Sequence, residues 1–279
     1  MRIAIASSYG LPGREVERAF DLGVRSFFWG ALRHGDFGTA LKTLARRDRE
    51  QLELITVSYA ANGLLVRGSV DLARRRLGVD ALDVLIIGYV HEAVPASVRD
   101  AAIALREKGV VKAIGASSHE RPLLARLANE PWVDAVMARY SAAHRAAMSE
   151  VLPHVPAAKR LITYTATRWG TLLDPARVPA GEDVPTATDC YRYVLSNPRV
   201  DRMLAGPATA QELDGAIEAA RLGAMEPDRI AWMERVGDAV RVTAKEPAPP
   251  RDGLRRLGAS LRSLVTRGVT EDVISRWNR

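Results

Sequence analysis

A chain of 279 residues with 47% hydrophobic and 26% charged side chains can bury a core that holds without disulfides or metals, and that composition excludes a fibrous, low-complexity or disordered chain. The single cysteine, Cys190, excludes an internal disulfide and a cysteine-cluster metal site, and it fits a reducing cytoplasm. The net charge of +7 raises nucleic acid and anionic surfaces as partners, but residues 251–279 carry seven arginines against Asp252, Glu271 and Asp272, a net +4, so the body is nearly balanced and nucleic acid is disfavoured.

The opening MRIAIASSYG has one arginine and then a brief apolar run, too short for a signal peptide or for the roughly 20 residues of a membrane span. It reads as a buried first strand from Ile3 to Ser7. Short β-branched runs then alternate with amphipathic stretches to about residue 222, the form of repeated βα units around a parallel sheet. The further strands are expected at Ser26 to Trp29, Leu54 to Ser58, Val84 to Ile87, Val111 to Ala116, Ala135 to Ala138, Leu161 to Tyr164 and Arg202 to Ala205. About eight such pairs are what a closed (β/α)8 barrel needs. Between them, Val66, Val70, Ala73 and Leu77 share one helical face, as do Val98, Ala102 and Leu105. Pro122 opens a helix running to about Asn129, and Asn197-Pro198 ends the one through CYRYVLSN.

After Arg241 comes KEPAPPRDG, whose prolines make a stiff connector. Beyond it Leu254, Leu257, Leu261 and Leu264 keep helical spacing with arginines between them. The expected organisation is a barrel domain over 1–241 and, over 242–279, a Pro-rich connector with a basic helical extension. That tail is expected to dock back on the barrel or on a sister subunit, or to meet a protein partner, with a membrane surface or nucleic acid as the alternatives.

The stretch LGVDALDVLIIGYVHEAV, followed by ALREKGVVKAIGASSHE, resembles the fourth and fifth βα units of the aldo-keto reductase superfamily. LITYTATRWGTLL resembles the family's seventh strand and cofactor loop, and CYRYVLSNPRVDRMLAGPATAQEL the unit leading into the eighth. Together these segments span roughly residues 16 to 240 in order. The resemblance implies a TIM barrel with a nicotinamide cofactor, NAD or NADP, across its C-terminal mouth. It also implies carbonyl reduction by a tyrosine proton donor, an activating lysine, a supporting aspartate and a substrate-orienting histidine.

All four of those positions are changed. The aspartate position falls on Phe28, the tyrosine position on Arg33 or His34, the lysine position on Ser58 and the histidine position on Gly88. General acid–base help is worth roughly 10²- to 10⁴-fold, so the family's usual mechanism does not carry over. The cofactor positions are better kept. Ser117 and Ser118 stand where the carboxamide is gripped, Tyr164 matches the tyrosine that stacks on the nicotinamide, and Thr165, Thr167 and Arg168 are placed to donate to the pyrophosphate. Gly206 permits close backbone approach, and Thr209 and Gln211 are placed to meet the adenosine. Met137 replaces a glutamine and Ala216 an asparagine. No Lys or Arg occurs from Gly206 until Arg221, so nothing marks a clamp for a 2′-phosphate.

The strand ends offer Arg33, His34, Tyr59, His91, His119, Arg139 and Tyr140 for other work. Tyr59 is a candidate donor if Arg33 or Arg139 lowers its pKa, and His34 lies beside the vacated tyrosine position. Arg33 and Arg139 suit an anionic small-molecule substrate, with Trp29 and Trp169 as flat walls for a ring. The histidines are too scattered for a metal site. Three functions remain open: an oxidoreductase with a non-standard donor, a redox-neutral lyase, isomerase or cyclase at the same mouth, and a non-catalytic scaffold or regulatory barrel.

Overall fold

The computed structural model describes residues 1–30 and 35–243. Arg33, His34 and the leucine-patterned tail lie outside the described residues. The elements are β1 (Ile3–Ala6), α1 (Gly13–Asp21), β2 (Ser26–Trp29), α2 (Gly35–Asp48), β3 (Glu53–Ser58), α3 (Gly63–Leu77), β4 (Leu82–Ile87), α4 (Ala96–Glu107), β5 (Val111–Ser117) and α5 (Arg121–Leu127). They continue with β6 (Ala135–Arg139), α6 (Ala146–Glu150), β7 (Arg160–Tyr164), α7 (Ala187–Leu195), β8 (Arg202–Ala205), α8 (Ala210–Leu222) and α9 (Pro227–Thr243). All eight strands are parallel, each pairs with the next in sequence, and β8 pairs with β1, so the sheet closes as a (β/α)8 barrel. No described helix is long and apolar enough to cross a membrane.

Closure divides the core in two, because successive strand side chains point alternately toward the axis and toward the helices. The axial set contains Ala4, Ile55, Val84, Ile86, Ala135, Met137, Ile162 and Tyr164, with Phe28, Val57, Tyr89, Ala113 and Leu204 packed against it. Gly115 belongs there because a Cβ would collide with Ile86 Cδ1. The outer set joins the other strand faces to the helices and includes Ile5, Phe27, Trp29, Leu54, Leu85 and Ile114. Trp29 is therefore a core side chain, not the flat wall of a ligand pocket expected from sequence.

The floor of the barrel is ionic. Glu53 opens β3 and receives Arg160 at 2.6 Å and Arg202 at 2.9 Å, while Ser26 donates to the same carboxylate. Arg160 also pairs with Asp201 at 2.6 Å. This network explains why β3 and β7 each begin one residue earlier than the apolar pattern suggests. A charged residue at a strand start reads as loop until its partners across the barrel are known. Burial acts to raise the Glu53 pKa, but the Ser26 hydrogen bond and the charges of Arg160 and Arg202 prevail and hold it below the usual carboxylate range.

Sequence periodicity also passes over α9. Its Trp232, Met233, Val236 and Val240 are buried, which leaves too narrow an apolar stripe to read alone. The helix lies on the loop after β6, where Gly237 meets the Ala142 carbonyl so closely that any Cβ would clash. Arg145, from the same loop, donates to both Asp238 carboxylate oxygens at 2.8 and 2.9 Å and to the Glu234 carbonyl at 3.1 Å.

Two outcomes test these contacts. Glu53→Gln leaves the two arginines under the barrel with Asp201 as their remaining shared anion and should cost about 3 kcal/mol or less in urea unfolding, the low end for a broken buried pair because the side chain keeps 19% of its surface. Since the folded pKa is lowered, this contribution is complete above the ordinary glutamate value and is lost as pH falls through the lower folded one. The variant should lack that part of the acid-side loss of stability. Gly237→Ala gains up to about 1 kcal/mol of helix propensity. The backbone clash at Ala142 outweighs that gain, so denaturation should show a net loss of about 1–2 kcal/mol.

Candidate functional site

The C-terminal ends of β3 to β7 converge on one aromatic rim. β7 delivers Tyr164 to the axial core with its ring 8% exposed, so the ring faces the barrel interior as the sequence reading requires. Its hydroxyl and Ser117 Oγ, from the end of β5, are both buried, and neither makes a well-aligned hydrogen bond among the described residues, although Ser117 and Arg139 lie close enough to act on the phenol. Burial pushes the Tyr164 phenol well above its usual pKa, Tyr89 adds to the shift, and Arg139 and Ser117 oppose it only weakly. Tyr164 is thus a neutral O–H group and not a phenolate. Two hydroxyls at the base of the mouth without well-aligned partners leave bonding capacity that a ligand could use.

Above Tyr164 the rings form a row. The His119 ring lies 6.4 Å from Tyr164, tilted by 33°, and Tyr89 meets His119 edge-on at 4.9 Å. Tyr59 then stacks on Tyr89 at 5.3 Å with planes only 4° apart. The vacated histidine position makes the stack possible: a Cβ on Gly88 would sit 2.6 Å from the Tyr59 ring. Arg139, at the end of β6, lies 4.7 Å over the Trp169 ring and 3.4 Å from His119 Nδ1. It thus stacks on Trp169 and approaches His119, and it also acts on the Tyr164 phenol.

The positions assigned to the cofactor's polar end have structural duties. Arg168 is 2% exposed and donates at 2.9 Å to the Val240 carbonyl, so it anchors the last turns of α9 and offers no surface to a pyrophosphate. Thr165 Oγ1 donates to the Tyr164 carbonyl at 2.7 Å, and Thr167 Oγ1 accepts from Gly170 N at 3.4 Å. Ser118 donates to the Val90 carbonyl at 2.5 Å and accepts from Glu120 N at 3.0 Å. Thr209 caps α8 by accepting from Glu212 N at 3.2 Å, and the Glu212 carboxylate accepts from Ala208 N at 2.6 Å. The helix end suited to an anion thus already holds one. Gln211 is exposed on the first turn of α8. Gly206 does allow close approach, but the Tyr9 ring takes the space, 2.7 Å from where a Cβ would lie.

Ser58, at the lysine position, faces outward and bonds to Ser69 Oγ of α3 at 3.0 Å, whereas Val57 beside it is axial. Tyr140 is buried against Tyr193 and not at the mouth. His91 is exposed in the loop after β4. Sequence reasoning passed over Tyr89 and Tyr9. The signal for Tyr89 is the Gly88-Tyr89 pair at a strand end, since the glycine makes room for a neighbouring ring.

Backbone strain marks the same region. The non-glycine residues with positive φ among the described ones are Tyr89 (46°), Thr165 (62°), Arg168 (50°) and Trp169 (53°). All follow β4 or β7 at the mouth. For β-branched Thr165 this conformation is a true outlier, and such strain concentrates at functional sites.

No protein-family model matches the chain, and no curated protein matches it in sequence. Solved structures do match. An aldo-keto reductase from Bacillus halodurans, in its holo form, superposes with a TM-score of 0.71 at 14% identity, covering 85% of this chain and 92% of that one. A candidate 2,5-diketo-D-gluconic acid reductase B superposes with a TM-score of 0.67 at 21% identity, covering 84% and 87%. At these identities the likeness concerns architecture, and the chain takes the closed eight-stranded barrel fold of the aldo-keto reductases.

Proposed function

We propose that the chain is an oxidoreductase of small molecules that binds a nicotinamide dinucleotide at the barrel mouth and lacks the aspartate, tyrosine, lysine and histidine of the usual reductase site. The observation that carries this reading is the buried pair of Ser117 Oγ and Tyr164 Oη, without a well-aligned partner, beside the Tyr164 ring at the top of the axial core. A planar carboxamide-bearing ring suits that combination, giving apolar area to the Tyr164 face and polar atoms to the two hydroxyls. Such a cofactor supplies or accepts hydride when bound.

The residues of the chain do the rest. Tyr164 and Ser117 orient the ring, Met137 beneath them keeps the base of the site dry, and the strained turns after β4 and β7 hold Tyr89 and Trp169 as walls. Tyr59, half exposed on its stack, and His119 are the groups placed to pass a proton to substrate. The dinucleotide's phosphates are held less firmly, because Arg168, Thr209 and the α8 N-terminus are already engaged. Those engagements favour a second reading, a redox-neutral enzyme using the same rim without a dinucleotide.

A thermal-unfolding series with NAD, NADH, NADP and NADPH separates the two. A ligand at a hundred times its Kd stabilises by about 2.7 kcal/mol, which for a chain of this size is a rise of roughly 5–10 °C. NADH should produce such a rise and NADPH a smaller one, since Glu212 and the absence of a cation before Arg221 disfavour a 2′-phosphate. Tyr164→Ala should remove the rise. No stabilisation by any of the four removes the dinucleotide reading.

A further inference from the structure

We propose that an apolar shaft descends from the mouth on the side of β8, β1, β2 and β3, and that it seats the compact hydrocarbon group of an uncharged substrate, a branched chain or a single saturated ring. This deepens the reading above, and it rests on the mouth as the substrate site but not on the dinucleotide. Axial side chains of such a barrel stack in layers drawn from alternate strands. Followed around the closed sheet, the strand registers place Phe28, Ile86, Met137 and Leu204 in one layer and Ala6, Val57, Ser117 and Tyr164 in the next toward the mouth. Alternation brings Gly30, Gly88, Arg139 and Gly206 into the layer above that.

The layers are sealed on one side only. Ile86 and Met137 are buried beneath Ser117 and Tyr164, which are buried as well. Phe28 and Leu204, at the same depth as Ile86 and Met137, keep accessible surface, and so does Val57 in the layer above them. Ala6 accounts for the difference, because it stands on β1 between β2 and β8 with only a methyl group to cover Phe28 on one side and Leu204 on the other. The layer above adds no side chain at Gly30, where a Cβ would meet no described atom within 4 Å. On the β8 side the Tyr9 ring, seated over Gly206, bounds the opening. The described lining is therefore Ala6, Phe28, Val57 and Leu204, hydrocarbon throughout. A charged group seated against these side chains loses its water and gains no partner from them, whereas an alkyl group gains by leaving water. The gap left by one alanine among large neighbours matches a branched alkyl group or one six-membered ring.

Titrating the full-length protein with cyclohexanol, propan-2-ol, cyclohexanecarboxylate and cyclohexylammonium at fixed ionic strength, followed by NMR chemical shifts, tests this. Cyclohexanol should bind at least about tenfold more tightly than propan-2-ol, through its extra buried methylene groups, and at least about tenfold more tightly than either ion, which must give up water. Ala6→Leu fills the shaft from β1 and should weaken cyclohexanol at least about tenfold. Leu204→Phe narrows it from β8 and should act in the same direction, so it carries the test if circular dichroism shows that Ala6→Leu does not fold. Cyclohexanol binding no tighter than propan-2-ol, either ion binding as tightly as cyclohexanol, or an unchanged cyclohexanol affinity in the folded variant overturns the proposal. The same samples titrated with NADH separate the two assignments. Cyclohexanol preference without NADH binding removes the cofactor reading alone, and NADH binding without cyclohexanol preference removes this one alone.

Discussion

Alternation along eight closed strands is the constraint from which the rest of the molecule follows. Once β8 pairs with β1, every second side chain of every strand must meet the others on a shared axis, and a residue's parity decides whether it becomes core, floor or mouth. Glu53, Arg160 and Arg202 share the floor for that reason, although they are far apart in sequence. Met137 and Tyr164 rise on the same axis toward the mouth. Parity also separates Ser58, turned outward to α3, from Val57 on the axis, so a position matched by sequence alone need not face the site.

The mouth shows how a barrel frame can be re-used by small exchanges. A glycine after β4 admits the Tyr59 ring, and a glycine after β8 admits the Tyr9 ring. Two positions that could approach a ligand closely instead host side chains of the protein. Among the described residues the rim carries flat aromatic area at Tyr59 and Tyr89, with Arg139 and His119 beside it. Electrostatic recognition and ring stacking are the interactions such a surface offers most readily.

The helix α9 ties this rim to the rest of the domain. Arg168 reaches it from the strained turn after β7, and Arg145 reaches it from the loop after β6. The backbone of both loops is thereby braced on a helix that is itself anchored by Trp232 and Val236. Strain at Thr165, Arg168 and Trp169 can persist because this surrounding structure holds it, and the buried guanidinium of Arg168 gives up any role at the surface in doing so.

What was legible in the sequence was local. Runs such as Val111 to Ala116 and faces such as Val66, Val70, Ala73 and Leu77 mark strand and helix by period alone, and their repetition gives the number of pairs a closed barrel needs, whereas the closure itself is made by the β1–β8 pairing. The inward placement of Tyr164 was legible too. The duties of Arg168, Thr209 and Gly206 were not, since a donor, a cap and a gap look the same in sequence whether a phosphate or the chain's own carbonyl, amide or ring meets them. Only the tertiary structure decided those contacts, because hydrogen bonds and close approaches are made between residues as distant as Arg168 and Val240, and sequence spacing carries no information about which partner arrives.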